Sequence, residues 1–194
     1  ERRIFARGLR NTIGFGWHPR TREMWGMDHG SDWRGDDVPP EELNHIREGR
    51  HYGWPFCYGD RQVDQIFAGR VPGDMTKQRF CAETEPAVLE YQAHSAPLQL
   101  VFYDRDQFPA EYRNDAFVTM RGSWNRKPPV GYKVVRVRFN DDGRPERFED
   151  FLTGFITDDG TAYLQRPCGL ALARDGSLLV GDDTNGAIYC VSYR

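Results

Sequence analysis

Short runs of alternating apolar residues, separated by strong turn signals, fill the C-terminal end of the chain. The run GLALA (169–173) is followed by the turn Asp175-Gly176 and then by SLLVG (177–181). A second turn, Asn185-Gly186, leads into AIYCVSY (187–193). Asp-Gly and Asn-Gly between alternating apolar runs are strong short-range signals of β-hairpins. The pattern therefore predicts three consecutive antiparallel strands.

The same succession of strands and turns occurs twice more. Near the N-terminus, IGFGWHP (13–19) and EMWGMDHG (23–30) flank a turn, and ELNHIRE (42–48) follows a polar excursion. In the middle, the successive runs are LQLVFY (98–103), DAFVTMRGSW (115–124), YKVVRVRF (132–139) and ERFEDFL (146–152). Repeated up-and-down strand units are typical of propeller blades. The sequence predicts an all-β fold, a β-propeller with three blades of four antiparallel strands.

The predicted blades form one partial propeller domain over residues 1–194. The last unit stops after its third strand, whereas residues 1–9 are similar to the fourth strand of the middle unit. We expect an orphan fourth strand at 1–9, a blade at 10–93 with an insertion at 50–82, a blade at 94–155 and a blade without its fourth strand at 161–194. Three blades cannot close a ring, since propellers have at least four. Either a longer protein or a second copy of the chain must complete it.

Charge and hydropathy narrow the function classes. The chain has 26 basic and 29 acidic residues, a net charge of −3 with neutral histidines. This balance gives no electrostatic reason for binding nucleic acid or an anionic membrane. No apolar run approaches the roughly 20 residues of a membrane-spanning helix.

The four cysteines do not form a CxxC metal motif. Cys57 and Cys81 bracket a polar excursion with little apolar content of its own. A disulfide between them would stabilise this segment by roughly 3 kcal/mol in an oxidising compartment, and we predict that bridge. Cys168 and Cys190 lie in apolar strand patterns, so we expect them to be small buried hydrophobic residues.

Polar residues recur at one position of each predicted blade. The first strand of each blade is preceded by polar residues, which are Arg10 and Asn11 in one blade, His94 in the next and Arg166 in the last. His29 and Arg121 follow the second strands of two of these blades. In a propeller these positions meet at one mouth of the central channel. Converging arginines favour an anionic ligand, because guanidinium groups bind carboxylates bidentately. The alternative is that each arginine lies in a solvated turn or makes a salt bridge between blades.

The acidic excursion at residues 31–44 has two possible interpretations. Its carbonyls and carboxylates could coordinate Ca²⁺, although their spacing does not match an EF-hand loop. It could also be a solvated loop with no ligand. His18, His45 and His51 have no mutual metal-ligand spacing, and we interpret them as structural.

Five stretches in this order carry a family resemblance over nearly the whole chain. They are GLRN (8–11), MDHG (27–30), EELNHIREGRHYGWP (41–55), RGSWNR (121–126) and RPCGLALARDGSLLVGDDTNGAIYCVSY (166–193). Together they resemble the soluble pyrroloquinoline quinone (PQQ)-dependent sugar dehydrogenases, and most closely their sorbosone dehydrogenase branch. Those enzymes are six-bladed propellers of about twice this length. The resemblance implies that this chain corresponds to their C-terminal half.

The resemblance also implies roles for the polar residues. Arg10 and Asn11 match an Arg-Asn pair that contacts the quinone, and the carbonyls of Gly30 and Ser31 match those that hold the docking Ca²⁺. The family often has Gly-Pro at that dipeptide, so Ser31 is a departure that a carbonyl ligand tolerates. The other matches to positions near the cofactor are His29, Glu41, His94, Arg121 and Arg166.

The activity implied by the resemblance is oxidation of an aldose sugar or sorbosone, with electrons passed to an acceptor. Arginines would neutralise the cofactor carboxylates, and Ca²⁺ would polarise a quinone carbonyl. The family's general base is a histidine of the N-terminal half, and no histidine here lies in its motif. We therefore expect no catalytic residue in this chain and no activity from it alone. The family and the predicted disulfide imply a periplasmic or secreted protein; the alternative function is a non-catalytic propeller that binds a protein or a glycan.

Overall fold

The computed structural model describes residues 1–157 and 159–194, and in this part of the chain it contains thirteen short strands. The strands are β1 (Thr12–Trp17), β2 (Met24–Asp28), β3 (Glu41–Ile46), β4 (Cys57–Tyr58), β5 (Gln62–Val63), β6 (Leu89–Tyr91), β7 (Pro97–Phe102), β8 (Ala116–Met120), β9 (Lys133–Phe139), β10 (Pro145–Leu152), β11 (Pro167–Leu172), β12 (Leu178–Asp182) and β13 (Ala187–Val191). One short helix, α1 (Lys77–Ala82), and one 3₁₀ turn (Ala110–Tyr112) interrupt them.

The strands form four antiparallel sheets, which confirms the all-β prediction. The first sheet has the order β1-β2-β3-β6, the second β7-β8-β9-β10 and the third β11-β12-β13, while β4 and β5 form a separate hairpin. All pairings between these strands are antiparallel. The two predicted C-terminal hairpins are present as β11-β12 and β12-β13. Whether the sheets are blades of a closed ring stays a prediction.

The three larger sheets repeat one detail of register. Their first and second strands begin to pair at Thr12–Asp28, Pro97–Met120 and Pro167–Asp182, and a register shift follows each pair. A bulge at the same place in each sheet twists the first strand in the same way. The internal repeat seen in the sequence is therefore also a structural repeat.

Two apolar clusters hold neighbouring sheets together. Trp25 and Leu43 of the first sheet pack with Leu100 and Val118 of the second. A second cluster combines aromatic residues of the second sheet, such as Phe117, with residues of the third, such as Leu178 and Val180. The sheets are thus side by side, with their hydrophobic faces buried against one another.

Residues 1–9 do not form a strand of the three larger sheets in the part of the chain that the structure describes. They run beside the loop that follows β3, with hydrogen bonds from Gly49 N–H to Phe5 O (2.7 Å) and from Tyr52 N–H to Arg7 O (2.9 Å). Their role as a fourth strand of another blade stays a prediction.

The insertion at 50–82 contains the β4-β5 hairpin and helix α1, with Thr76 as the N-cap of the helix. The predicted disulfide between Cys57 and Cys81 is present and joins the hairpin to the helix. The prediction for the other two cysteines is wrong, because Cys168 is half-buried and Cys190 is exposed. Apolar neighbours along a strand do not determine which face of the strand each residue occupies. Among the described helices, none is long and apolar enough to cross a lipid bilayer.

Candidate functional site

The predicted site residues lie where first strands begin and second strands end. Within each large sheet these ends coincide, because the two strands are antiparallel neighbours. Two contacts connect these ends of neighbouring sheets. Glu41 of the first sheet accepts a hydrogen bond from Ala96 N–H at the start of the second sheet, and Arg121 at the end of the second sheet donates to Asp183 next to the third. The chain therefore assembles polar groups from three sheets at one end.

Asp28 fixes the backbone of the Arg10-Asn11 pair. Its Oδ2 accepts a hydrogen bond from Arg10 N–H (2.8 Å), and its Oδ1 accepts from Asn11 N–H (2.6 Å) and from the Thr12 hydroxyl (2.9 Å). Burial raises the pKa of Asp28, while these hydrogen bonds lower it and favour the carboxylate. The carboxylate holds the turn so that both side chains are presented at the end of the sheet.

Asp182 plays the same part in the third sheet. It accepts from Arg166 N–H (3.0 Å) and also holds the following turn through Thr184 N–H (2.9 Å). Sequence reasoning missed both positioning residues. The available signal was an aspartate at the end of the second strand in two of the three repeats, MDHG and VGDDT.

Glu41 connects the first and second sheets beneath the site. It is only 2 % exposed. Its Oε2 accepts from Gly30 N–H and its Oε1 from Ala96 N–H, both at 2.9 Å. Burial raises the pKa of Glu41 to about 7, although the two N–H donors favour the charged form. Its position links the predicted metal-binding turn to the start of β7.

One open cleft of about 160 Å³ brings together most of the predicted site residues. The predicted residues that line it are Arg10, Asn11, His29, Gly30, Glu41 and His94. Ser31 lines an adjoining groove that also includes Arg10.

Arg121 and Arg166 lie at the same end of the sheets but outside this cleft, at the boundary of the second and third sheets. Arg121 makes a salt bridge with Asp183 (2.6 Å), and Asp183 N–H donates to Arg166 O (3.2 Å). The Arg166 guanidinium lies 5.2 Å from the centre of the Tyr163 ring, and its Nε has no hydrogen-bond partner among the described residues. Arg10 is also paired, with Asp32 at 3.2 Å. Salt bridges between sheets, the alternative interpretation of these arginines, are therefore present for Arg121.

The two histidines of the cleft differ in their surroundings. Burial lowers the pKa of His29, and in the described part of the chain its Nε2 is buried with no hydrogen-bond partner. His94 Nε2 lies 2.7 Å from Gly35 O. Both His94 (φ +67°) and Ala96 (φ +57°) have left-handed backbones, which cost energy for residues other than glycine. Strain of this kind is concentrated at functional sites.

The predicted metal ligands are backbone groups. Across the described residues there is no cluster of three His, Cys, Asp or Glu side chains suited to a metal ion. In the same part of the chain, no N–H group donates to the carbonyls of Gly30 and Ser31. A side chain at Gly30 would lie 2.8 Å from Pro39 O, so only glycine fits there. Carboxylates of the acidic loop pair with arginines, as in Asp32–Arg10 and Asp37–Arg126 (3.0 Å).

Comparisons with known proteins match this chain over nearly its whole length. A family model described as TrAA12-like matches residues 2–194. The chain is 38 % identical over 192 residues to an uncharacterized protein of Borreliella burgdorferi, covering 98 % of this chain and 48 % of that protein. It is 28 % identical over 170 residues to a pyrroloquinoline quinone-dependent pyranose dehydrogenase of Coprinopsis cinerea, covering 72 % of this chain and 22 % of that enzyme.

Solved structures share the fold. The iodide structure of a Trichoderma reesei protein of Carbohydrate-Active Enzymes family AA12 matches with a TM-score of 0.77 and 26 % identity, covering 94 % of this chain and 52 % of that one. The holo form of the PQQ domain of the C. cinerea pyranose dehydrogenase matches with a TM-score of 0.72 and 22 % identity, covering 97 % and 55 %. The chain thus spans about half the length of these structures and of the B. burgdorferi relative.

Proposed function

The chain belongs to the TrAA12-like family, and on that premise we propose that it is the quinone-holding part of a PQQ- and calcium-dependent sugar dehydrogenase. The observation that carries this proposal is the cleft that brings Arg10, Asn11, His29 and His94 together. The similarity to a pyranose dehydrogenase that uses this quinone supports it.

The residues of the site fit the cofactor chemically. PQQ is a flat tricyclic anion with three carboxylates and an ortho-quinone. Arg10 and Asn11 would bind one carboxylate from the cleft, and Arg121 and Arg166 would bind at the boundary with the third sheet. The buried, unpartnered Nε2 of His29 needs a polar partner, which a bound ligand would supply. A quinone held by these residues would supply the hydride acceptor for oxidation of the sugar.

A calcium ion fits the Gly30-Ser31 turn. The two carbonyl oxygens accept no hydrogen bond from the described residues, and hard oxygen donors are the ligands that Ca²⁺ prefers. Two carbonyls alone do not complete a coordination shell of six to eight oxygens. The remaining ligands would come from the cofactor and from water.

The rest of the proposal concerns the complete protein. We propose a six-bladed propeller, of which this chain is the C-terminal half, divided into blades at 10–93, 94–155 and 161–194. The general base lies in the other half, and the substrate is an aldose or sorbosone. The disulfide supports a periplasmic or secreted location, since thiols are oxidised there.

Reconstitution of the complete protein tests this function. The apoprotein is incubated with PQQ and Ca²⁺, desalted, and assayed for reduction of an electron-accepting dye by aldoses. We expect dye reduction that depends on the sugar, the quinone and Ca²⁺. A complete, folded protein that retains no quinone would overturn the proposal and leave the non-catalytic binding module in its place.

A further inference from the structure

Two tryptophans form an exposed right-angled corner at the rim of the cleft. Trp33 is 75 % exposed and Trp124 is 66 % exposed. Their ring centres are 5.3 Å apart, and the ring planes meet at 77°. Trp124 lines the cleft, and Trp33 lines the adjoining groove that shares Arg10 and Asp32 with it. Two large aromatic rings side by side in solvent are unusual for a surface with no ligand.

Hydrogen bonds hold the loop that carries Trp33 both before and after this residue in the sequence. Asp32 accepts hydrogen bonds from the Arg10 guanidinium (3.2 Å) and from Asn125 Nδ2 (3.0 Å), and Gly35 O lies 2.7 Å from His94 Nε2. Trp33 itself has a left-handed backbone (φ +63°), which bulky residues rarely adopt. The loop therefore holds the ring in place at an energetic cost.

The loop that carries Trp124 is also closed on itself. Ser123 N–H donates to Val130 O (2.9 Å), and Val130 N–H donates to the Ser123 hydroxyl (3.0 Å). Arg126 joins the two loops through a hydrogen bond to Asp36 O and the salt bridge to Asp37. Both rings are thus presented by loops that are tied to each other.

We propose that Trp33 and Trp124 form a platform on which a pyranose ring of the substrate stacks. The inference rests on the proposed function only in taking the substrate to be a sugar. A pyranose has an apolar face of C–H groups and a rim of hydroxyls, so it needs an aromatic face with polar side chains beside it. The Asn125 carboxamide and the Asp32 carboxylate supply those, and Asn125 Oδ1 is buried without a partner among the described residues.

The charge of the rim favours a neutral ligand over the anionic quinone. Residues 31–37 and 123–127 carry three acidic and three basic side chains, namely Asp32, Asp36, Asp37, Arg34, Arg126 and Lys127. Their net charge is zero, and Arg10, which adjoins the rim, is already paired with Asp32, so the rim offers little excess positive potential to an anion with three carboxylates. A neutral sugar needs no positive potential to bind, and this difference favours the substrate over the quinone as the ligand of the platform.

The test compares alanine and phenylalanine variants in the complete protein loaded with PQQ and Ca²⁺. For Trp33→Ala and Trp124→Ala we expect the KM for D-glucose to rise about tenfold with kcat changed less than twofold, since stacking binds ground and transition states alike. Trp124→Phe should recover most of the affinity. The matched control is Trp17→Ala, since Trp17 lies at the far end of β1 and lines neither the cleft nor the adjoining groove.

A second readout needs no oxidation. Saturation-transfer NMR on the apoprotein with methyl β-D-glucopyranoside should show transfer to the ring protons, which Trp124→Ala abolishes and Trp17→Ala retains. The open-chain polyol sorbitol should show no transfer to either protein. This measurement tests sugar binding even if the protein binds no quinone. Failure of the platform and failure of the proposed function are therefore distinguishable.

Three results would overturn the platform. The first is unchanged KM and unchanged NMR transfer in folded Trp33→Ala and Trp124→Ala proteins. The second is a lower Tm with unchanged sugar binding, which would mean that the rest of the protein covers the rings. The third is weaker quinone binding with unchanged sugar binding, which would mean that the rings stack on the cofactor.

Discussion

Each arginine predicted to bind the cofactor has a partner in the folded chain. Arg10 pairs with Asp32, Arg121 pairs with Asp183, and Arg166 lies over the Tyr163 ring. These partners orient the guanidinium groups before any ligand arrives, and they also compete with a ligand carboxylate. The interaction free energy between an anionic ligand and each arginine must therefore exceed that between the arginine and its existing partner.

Replacement of Arg10 tests its assigned role. We expect Arg10→Ala in the complete protein to raise the Kd for PQQ about tenfold or more, because a charge-assisted hydrogen bond to a carboxylate contributes roughly 1.5–3 kcal/mol. Titration of quinone absorbance or protein fluorescence measures this Kd. Arg105→Ala, an exposed arginine away from the cleft, is the control. An unchanged Kd in Arg10→Ala would show that Arg10 only supports the turn through Asp32.

The buried carboxyl group of Glu42 should make the free energy of unfolding depend on pH. Its carboxylate is buried and accepts hydrogen bonds from Gly59 N–H (2.5 Å) and from Asn44 Nδ2 (3.1 Å), and burial raises its pKa from 4.5 to about 7. Between those values the folded chain binds more protons at this group than the unfolded chain does. The contribution of Glu42 to the free energy of unfolding therefore falls as the pH rises from about 4.5 to about 7, by up to roughly 3 kcal/mol.

The variant Glu42→Gln isolates this contribution. The new amide can donate to Asn44 Oδ1, which has no partner among the described residues, once the Asn44 carboxamide turns over. Urea unfolding from pH 4.5 to 7.5 should show a smaller loss of stability in the variant than in the wild type. Parallel curves for the two proteins would mean that Glu42 ionises in the folded chain at its ordinary pKa.

At the scale of strands, one glycine sets the approach of the first two sheets. A Cβ on Gly14 of β1 would lie 2.3 Å from Leu98 O and 2.4 Å from Leu100 N, which are backbone atoms of β7. These atoms cannot move aside without separating the sheets. The sequence presents GFG as part of an apolar run, and its spacing contains no sign of this contact.

We expect Gly14→Ala to destabilise the protein by about 1–3 kcal/mol, the usual cost of overpacking a close contact. Gly16→Ala on the same strand is the matched control, because its Cβ would meet only side-chain atoms at ordinary contact distances, those of Phe102 at 3.5 Å and Leu100 at 3.6 Å. Denaturant midpoints compare the two variants. Equal stability of both would contradict the close packing of β1 on β7.

Local signals predicted much of the fold. The Asp-Gly and Asn-Gly turns determine their hairpins within a few residues, so β11, β12 and β13 could be located directly. The interior of the insertion, with the β4-β5 hairpin and α1, depends on the disulfide and on packing between Phe56 and Phe80, and neither leaves a periodic pattern. The exposure of Cys190 depends on the orientation of an edge strand, which sequence alternation alone left open.

The sequence predicted those site residues that occupy equivalent positions in the repeated strand units. The shared position of Arg10, His94 and Arg166 could be read from the aligned units, and the cleft contains the first two. The carboxylates that position Arg10 and Arg166, namely Asp28 and Asp182, were missed because an acidic residue at a strand end is usually a turn residue. The bridge from Glu41 to Ala96 joins different sheets and has no local signal.

At the scale of the molecule, large apolar side chains remain exposed on both flanks. Ile13, Phe15 and Trp17 on β1, Ile188 on β13, and Ile4 and Phe5 near the N-terminus all lie open to solvent. Surfaces of this kind are usually covered by another part of the same protein or by a partner. The chain also spans about half of its structural relatives.

We expect residues 1–194 produced alone to self-associate, because two copies could complete a ring of six blades and bury these flanks. Size-exclusion chromatography with light scattering measures the mass. A dimer has twice the 22.5 kDa of one chain, whereas the complete protein should need no second copy. A monodisperse species near 22.5 kDa would contradict this expectation.

We propose that the end of the sheets marked by Arg10, His29 and Arg166 holds the quinone. A crystal structure of the complete protein with PQQ and Ca²⁺ would show whether it does. We predict quinone carboxylates within hydrogen-bonding distance of Arg10 and Arg166, and a calcium ion bound to the carbonyls of Gly30 and Ser31. A quinone bound at any other surface, with these residues still in their present salt bridges and contacts, would contradict the account.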